Sequence, residues 1–290
     1  MFKSILSLFL ATTLVSCTSE QLEIVTPTIE NYKFNIKLSP DQSTGEIEKI
    51  EKVNSYAVNN NFFIKSFKDI ILDVNGDFTI DVPQNTQLYF TSNIVEPTSL
   101  ANLVVDTTPL AGLLAVTTNA NMEHNINGAP NFFSGSYIPT TNLVAESNRK
   151  SIGMMRSTAR LDFDMGADEK ILVTNITIAN ASKITSVFKQ ATTFESTEKT
   201  SYTKLYTPEL KGKALDQFRL YESTSPVTVT ISATYYGVPM QTTVDIPTVE
   251  RNKIYNILIK STGTTIEGTF TILPWEIGGD IEALPIQPVK

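Results

Sequence analysis

One thiol and one imidazole bound the chemistry open to this chain. Cys17 and His124 are the only residues of their kinds among 290. A disulfide framework, a Cys/His zinc site and a Cys–His catalytic pair are therefore excluded or very hard to build. His124 lies in the polar stretch Asn121-Met122-Glu123-His124-Asn125, and no Gly-x-Ser-x-Gly motif supplies a nucleophile for it. Asp73-Val74-Asn75-Gly76-Asp77 looks superficially like part of a calcium loop, but the further oxygen ligands and distal Glu are missing, so a hairpin turn is expected there. Asp162 and Asp164 share one face of an alternating run. Paired carboxylates can hydrolyse glycosides when they face each other across a cleft; here the alternation puts them on a solvated strand face beside Arg160. Trp275, after Leu273-Pro274, could stack on a sugar, but a plug at the end of a β-sandwich core is the expected role. The chain reads as non-enzymatic, with no metal and no cofactor, and a secreted hydrolase is the remotest of the readings kept.

The elements that must carry these residues are strands. The sequence is 41% hydrophobic and 18% charged, enough apolar material for real cores. Thr, Val, Ile, Tyr and Phe are plentiful, and no long helical period is present. A net charge of −7 argues against nucleic acid, which needs clustered Lys and Arg. At the N-terminus, Lys3 and the apolar run Ile5–Val15 read as a secretory signal over residues 1–16, too short to span a bilayer. It ends in Leu14-Val15-Ser16-Cys17, which resembles the lipobox of bacterial lipoproteins, cleaved before a Cys that is then acylated. Cys17 is thus the expected lipidation site, and its acyl (palmitate-type) chains anchor the protein to a membrane. Residues 17–30 form a polar tether.

Tyr32–Leu38 alternates strictly and predicts a half-buried strand. Residues 39–54 read as an exposed loop holding Lys49 and Lys52. Ile70–Val74 and Asp77–Val82 flank Asn75-Gly76 as a predicted hairpin, and Gln87–Thr91 is a further strand. Residues 96–148 are irregular, with a short helix expected near Leu110–Val116. From Ala159 onward the alternation is clean, in runs around Leu161, Ile176, Val229, Val244, Ile257 and Phe270. Short strands separated by turn signals indicate β-sandwiches. The polar loop gives way to the first clean strand near Arg149–Gly153, so the expected division is 31–149 and 150–290. After Gly278-Gly279, the spaced apolar residues Ile281, Ala283, Leu284 and Ile286 admit two readings: a disordered tail, or an extended strand that pairs elsewhere.

In combination these features resemble the Bacteroidales fimbrillin superfamily (type V pilins and their minor, tip and anchor relatives). The resemblance rests on the lipobox at Cys17, the strand Tyr32–Leu38, Pro130-Asn131-Phe132-Phe133-Ser134-Gly135 and Met154-Met155-Arg156-Ser157-Thr158-Ala159-Arg160-Leu161-Asp162. It rests also on Val249-Glu250-Arg251-Asn252-Lys253-Ile254-Tyr255 and Pro274-Trp275. It implies an all-β fold of two transthyretin-like β-sandwich domains in tandem, the second with a C-terminal extension. It implies lipoprotein export to the outer membrane, proteolytic removal of the first strand, and polymerisation on the cell surface by donor-strand exchange. The strand removed would be an edge element, and Ile281–Ile286 the candidate donor. Family members are typically cut after an Arg in the loop following the first strand. This chain has no Arg before Arg149, which leaves Lys49 and Lys52 as candidate processing sites, or an uncut, lipid-retaining anchor. The implied partners are other fimbrial subunits, the outer membrane through the lipid, and a host or bacterial surface receptor. Stalk, tip and anchor roles stay open, as does a monomeric glycan-binding surface lipoprotein.

Overall fold

The computed structural model describes residues 29–38, 48–121, 123–139, 149–166 and 170–275. Within them the chain is nearly all β. The strands of the first half are β1 (Ile29–Lys37), β2 (Lys52–Asn59), β3 (Phe62–Ile71), β4 (Asp77–Pro83), β5 (Gln87–Ser92), β6 (Phe133–Tyr137), β7 (Arg149–Gly153) and β8 (Met155–Arg156). Two short helices, α1 (Thr98–Ala101) and α2 (Leu110–Leu114), lie between β5 and β6. The second half contains β9 (Thr158–Asp164), β10 (Ile171–Ser182), β11 (Lys199–Leu210), β12 (Lys213–Tyr221), β13 (Val227–Tyr235), β14 (Val238–Ile246), β15 (Lys253–Ser261) and β16 (Ile266–Pro274).

Strands β4-β1-β7 form one sheet and β3-β2-β5-β6-β8 another. The core between them draws Phe34 from β1, Phe78 and Ile80 from β4, Ile152 from β7, and Ala57, Leu88, Phe90 and Phe133 from the opposite sheet. The five-stranded sheet is apolar on both faces, because the outward residues Tyr56, Val58 and Tyr89 pack beneath Leu100, Leu113, Val187 and Phe188. A strand buried on both sides has no period-2 signal, which is why β2 is not evident as a strand in the sequence.

The eight strands of the second half follow the order β14-β13-β10-β12-β9-β15-β16, with β11 on β10. β10 and β12 meet at a single rung, Ser182–Tyr221. This narrow join lets the sheet fold over on itself. Ile176, Ile178, Val229 and Ile231 of one layer then share a core with Leu161, Phe163, Leu220 and Ile257 of the other.

Four expectations need correcting. Asn75-Gly76 turns the chain, but not into a hairpin: β3 and β4 belong to different sheets. The Asp73 carboxylate accepts the Asn75 and Asp77 amides (both 2.8 Å), and the turn carries the chain across the core. The strand before this turn begins at Phe62 rather than Ile70, because Asn60 and Asn61 (φ 47° and 66°) close a tight β2–β3 hairpin. Lys52 opens β2 instead of lying in the loop, paired opposite Ile71. β1 is not an edge element but the middle strand of its sheet.

Candidate functional site

β1 is held on both sides. Ile29–Asn35 runs antiparallel to Asp77–Pro83 of β4, while Lys33–Lys37 runs parallel to Arg149–Gly153 of β7. Its inward side chains alternate, as expected from the sequence. Phe34 is fully buried, with ring centroids 5.5 Å from Phe78, 5.6 Å from Phe90 and 5.3 Å from Tyr137. Tyr32 packs on Phe34 and Tyr137, each at 5.9 Å. Burial of an aliphatic or aromatic side chain contributes roughly 1.5–3 kcal/mol, so Tyr32, Phe34 and Ile36 make this strand a large share of its core.

A polar latch sits at the C-terminal end of β1. Asn35 donates to the Asp77 carboxylate at 2.7 Å and to the Asn75 carbonyl at 2.8 Å. Lys33 approaches the other Asp77 oxygen at 3.0 Å, and the Ile36 amide donates to the Gly76 carbonyl at 3.0 Å. The residues that resembled a calcium loop therefore pin β1 to β4 and to the turn that precedes β4. Among the described residues no cluster of His, Cys, Asp and Glu could hold a metal ion.

The segment after β1 leads to the two candidate processing sites. The Lys49 side chain is 80% exposed and pairs with Glu51 at 2.8 Å; Lys52 is exposed and lies 3.6 Å from Asp69. Cys17 and the candidate donor residues Ile281, Ala283, Leu284 and Ile286 lie outside the described residues.

Of the two carboxylates expected on a solvated face, Asp164 is half-buried and accepts the Gly166 amide at 2.7 Å, whereas Asp162 is covered. Asp162 is buried, paired with buried Arg160 at 2.8 Å, and accepts the Asp216 amide at 2.7 Å. The cover over that face is Trp275. It is buried as expected, but among cations: the Arg156, Arg160 and Arg219 guanidinium carbons lie 4.9, 5.3 and 5.9 Å from its ring. Arg156 also lies 3.5 Å from Glu48, at the far end of the segment that follows β1. His124 stacks on Tyr202 at 5.8 Å and meets Tyr221 edge-on at 5.4 Å. Its Nδ1 contacts the Tyr202 hydroxyl.

Sequence reading missed a second buried ion pair, Arg251–Glu222. Its carboxylate also accepts from Thr185 and Ser186, both at 3.1 Å. Charge is visible at these positions in the sequence, but their convergence from just after β12, just before β15 and the β10–β11 connection is not.

No protein-family model and no curated protein sequence matches the chain. Solved structures do. A candidate cell adhesion protein from Bacteroides eggerthii superposes with a TM-score of 0.59 at 15% identity, covering 87% of this chain and 97% of the other. The tip fimbrial protein Mfa3 from Porphyromonas gingivalis, truncated at its C-terminus, gives 0.59 at 12% identity over 85% and 100%. A fimbrial assembly protein from Parabacteroides distasonis gives 0.57 at 12% over 85% and 99%. The chain has the fold of these Bacteroidales fimbrial and adhesion proteins.

Proposed function

We propose that the chain is a non-enzymatic structural subunit of a cell-surface fimbria that supports adhesion. In this reading it is exported as a lipoprotein through Cys17 and built as two transthyretin-like sandwich domains; because β7 and β8 complete the sheets of the first, the division falls after Arg156 rather than at the expected 149/150. Cutting after Lys49 or Lys52 lets β1 leave, and residues Ile281–Ile286 of another subunit take its place. The observation that supports this most is the position of β1. A strand lost from a sheet edge leaves one unpaired neighbour. A strand lost from between β4 and β7 leaves two unpaired backbones, with an apolar trough lined by Phe78, Phe90 and Tyr137 beneath them. Such a gap is strongly unfavourable in water and accepts a replacement strand with both ladders ready. A donor reaching from copy to copy makes a heterologous contact that does not close, which builds a filament. A subunit left uncut and lipidated would serve instead as the anchor.

Limited trypsin treatment tests the reading. Cleavage confined to residues 39–52 should yield a ladder of oligomers, and mass spectrometry should find the peptide carrying β1 in the supernatant. Persistent monomers that retain β1 after clean cleavage would refute strand exchange. Deletion of residues 280–290 should abolish donation but leave the fold intact.

A further inference from the structure

We infer that the molecule carries a complementary knob and socket at its two ends, and that in the polymer the Tyr236 hairpin of one copy seats in the Phe62 pocket of the next. The inference builds on the filament reading above but adds a contact that strand donation does not require.

The knob is at the end of the second half remote from the first. β9 and β15 begin beside the first half at Thr158 and Ile254 and run away from it together. The β13–β14 turn lies at their far end, because Ile171 pairs with Tyr235 and follows the distal end of β9. That turn is Tyr236-Gly237, with φ 50° and 76°. Its first position favours Asn, Asp or Gly; an aromatic residue in the left-handed region is uncommon and costs conformational energy. The ring gains no burial in return, since Tyr236 is 64% exposed and Val238 beside it 55%. Tyr235 holds it edge-on at 4.7 Å, and Lys170 lies 4.4 Å from its centroid. A strained, exposed, braced aromatic residue next to a cation is costly for a monomer and well suited to an interface.

The socket is at the opposite end. β8 pairs with Phe133 and Ser134 next to the second half, so the other ends of β5 and β6, at Gln87 and Tyr137, point away from it. There a cavity of about 260 Å³ opens between Phe62, Ile64, Pro83, Asn59 and Asp106. It has room for one aromatic ring and is lined by Phe62, Ile64 and Pro83 together with Asn59, Asn60 and the exposed Asp106. Tyr236 matches the apolar part of this lining, and Lys170 matches Asp106. Both features lie on one chain at opposite poles, so their union is head-to-tail and open-ended.

The test uses the full chain carrying Cys17→Ser, which removes the only thiol. Tyr236→Cys and Phe62→Cys chains are mixed, nicked with trypsin and oxidised. The expected product is a disulfide between the two variants in excess of either homodimer. In a second arm, K170D and D106K should each lower the yield about fivefold, and one chain carrying both should restore it. A Tyr236→Cys homodimer as the main product would overturn the inference, since the tips would then meet each other. Polymers without the mixed cross-link overturn it while leaving strand donation intact. A mixed cross-link without polymers supports the pole contact and counts against donation.

Discussion

At the residue scale, the ion pairs show how burial changes what a charge is worth. Lys33 is half exposed, so its pair with Asp77 is screened and contributes less than about 1 kcal/mol. Arg251 is only 5% exposed and depends on Glu222 for its counter-charge. Glu222→Ala should destabilise the protein by about 3–5 kcal/mol in urea unfolding at neutral pH, with Lys33→Ala as the mild comparison. Equal effects would show that Arg251 finds another counter-charge. Asp162 illustrates the limit of sequence at this scale. Period-2 alternation correctly puts it opposite Leu161 and Phe163, but the cover on that face, Trp275, comes from more than a hundred residues away. Alternation tells which face a side chain occupies; it does not tell whether a second layer lies over that face.

At the scale of elements, β1 was legible because its apolar side chains from Tyr32 to Ile36 all lie on one face, while Asn35 on the other is buried only in the polar latch with Asp77. Tyr32, Phe34 and Ile36 turn inward while Lys33 faces water, as the sequence pattern requires. β2 was hidden by burial on both faces, and β11 by its mostly exposed, irregular register with β10. The Asn75-Gly76 signal was correct as a turn and wrong as a pairing, since turn chemistry constrains two residues and not the sheet the chain enters next. That β1 is central follows from β7 returning beside it more than a hundred residues later, a contact no local pattern carries. The groove has one dominant pocket, around Phe34. A synthetic peptide of residues 29–38, added to cleaved protein stripped of β1, should refill the groove. Phe34→Ala in that peptide should weaken binding by about a hundredfold or more, as a 3–5 kcal/mol cavity cost implies. Isothermal titration would measure it, and equal affinity of the two peptides would mean that the backbone ladders alone hold the strand.

At the scale of the molecule, the two halves are joined by short main-chain bridges, Thr117–Ser186 and Gly128–Arg219, and by inserted side chains. Phe188, from the β10–β11 connection, packs on Tyr56 and Tyr89 of the five-stranded sheet at 5.9 and 5.5 Å. In the opposite direction, His124 precedes β6 and lies against Tyr202 of β11 and Tyr221 of β12. This reciprocal insertion makes the junction sensitive to the one imidazole in the chain. Burial lowers the His124 pKa below 6.5, partly opposed by a hydrogen bond with the Lys183 backbone, and the nearby Lys183 charge lowers it further. The folded state therefore favours the neutral ring, whereas the unfolded chain takes up a proton near its ordinary value. By linkage, the stability associated with neutral His124 is complete above about pH 6.5 and is lost as pH falls through that value toward the lower folded one. Thermal unfolding followed from pH 7.5 to 5 should show a falling midpoint in the native protein and a flatter profile in His124→Gln, whose amide does not titrate. Parallel profiles would assign the acid sensitivity to carboxylates instead. If the slope does follow His124, mild acid loosens the junction that orients the β1 groove relative to the Tyr236 knob. Polymers assembled at neutral pH should then bend more in electron micrographs taken at pH 5 than at pH 7.5, and His124→Gln polymers should not.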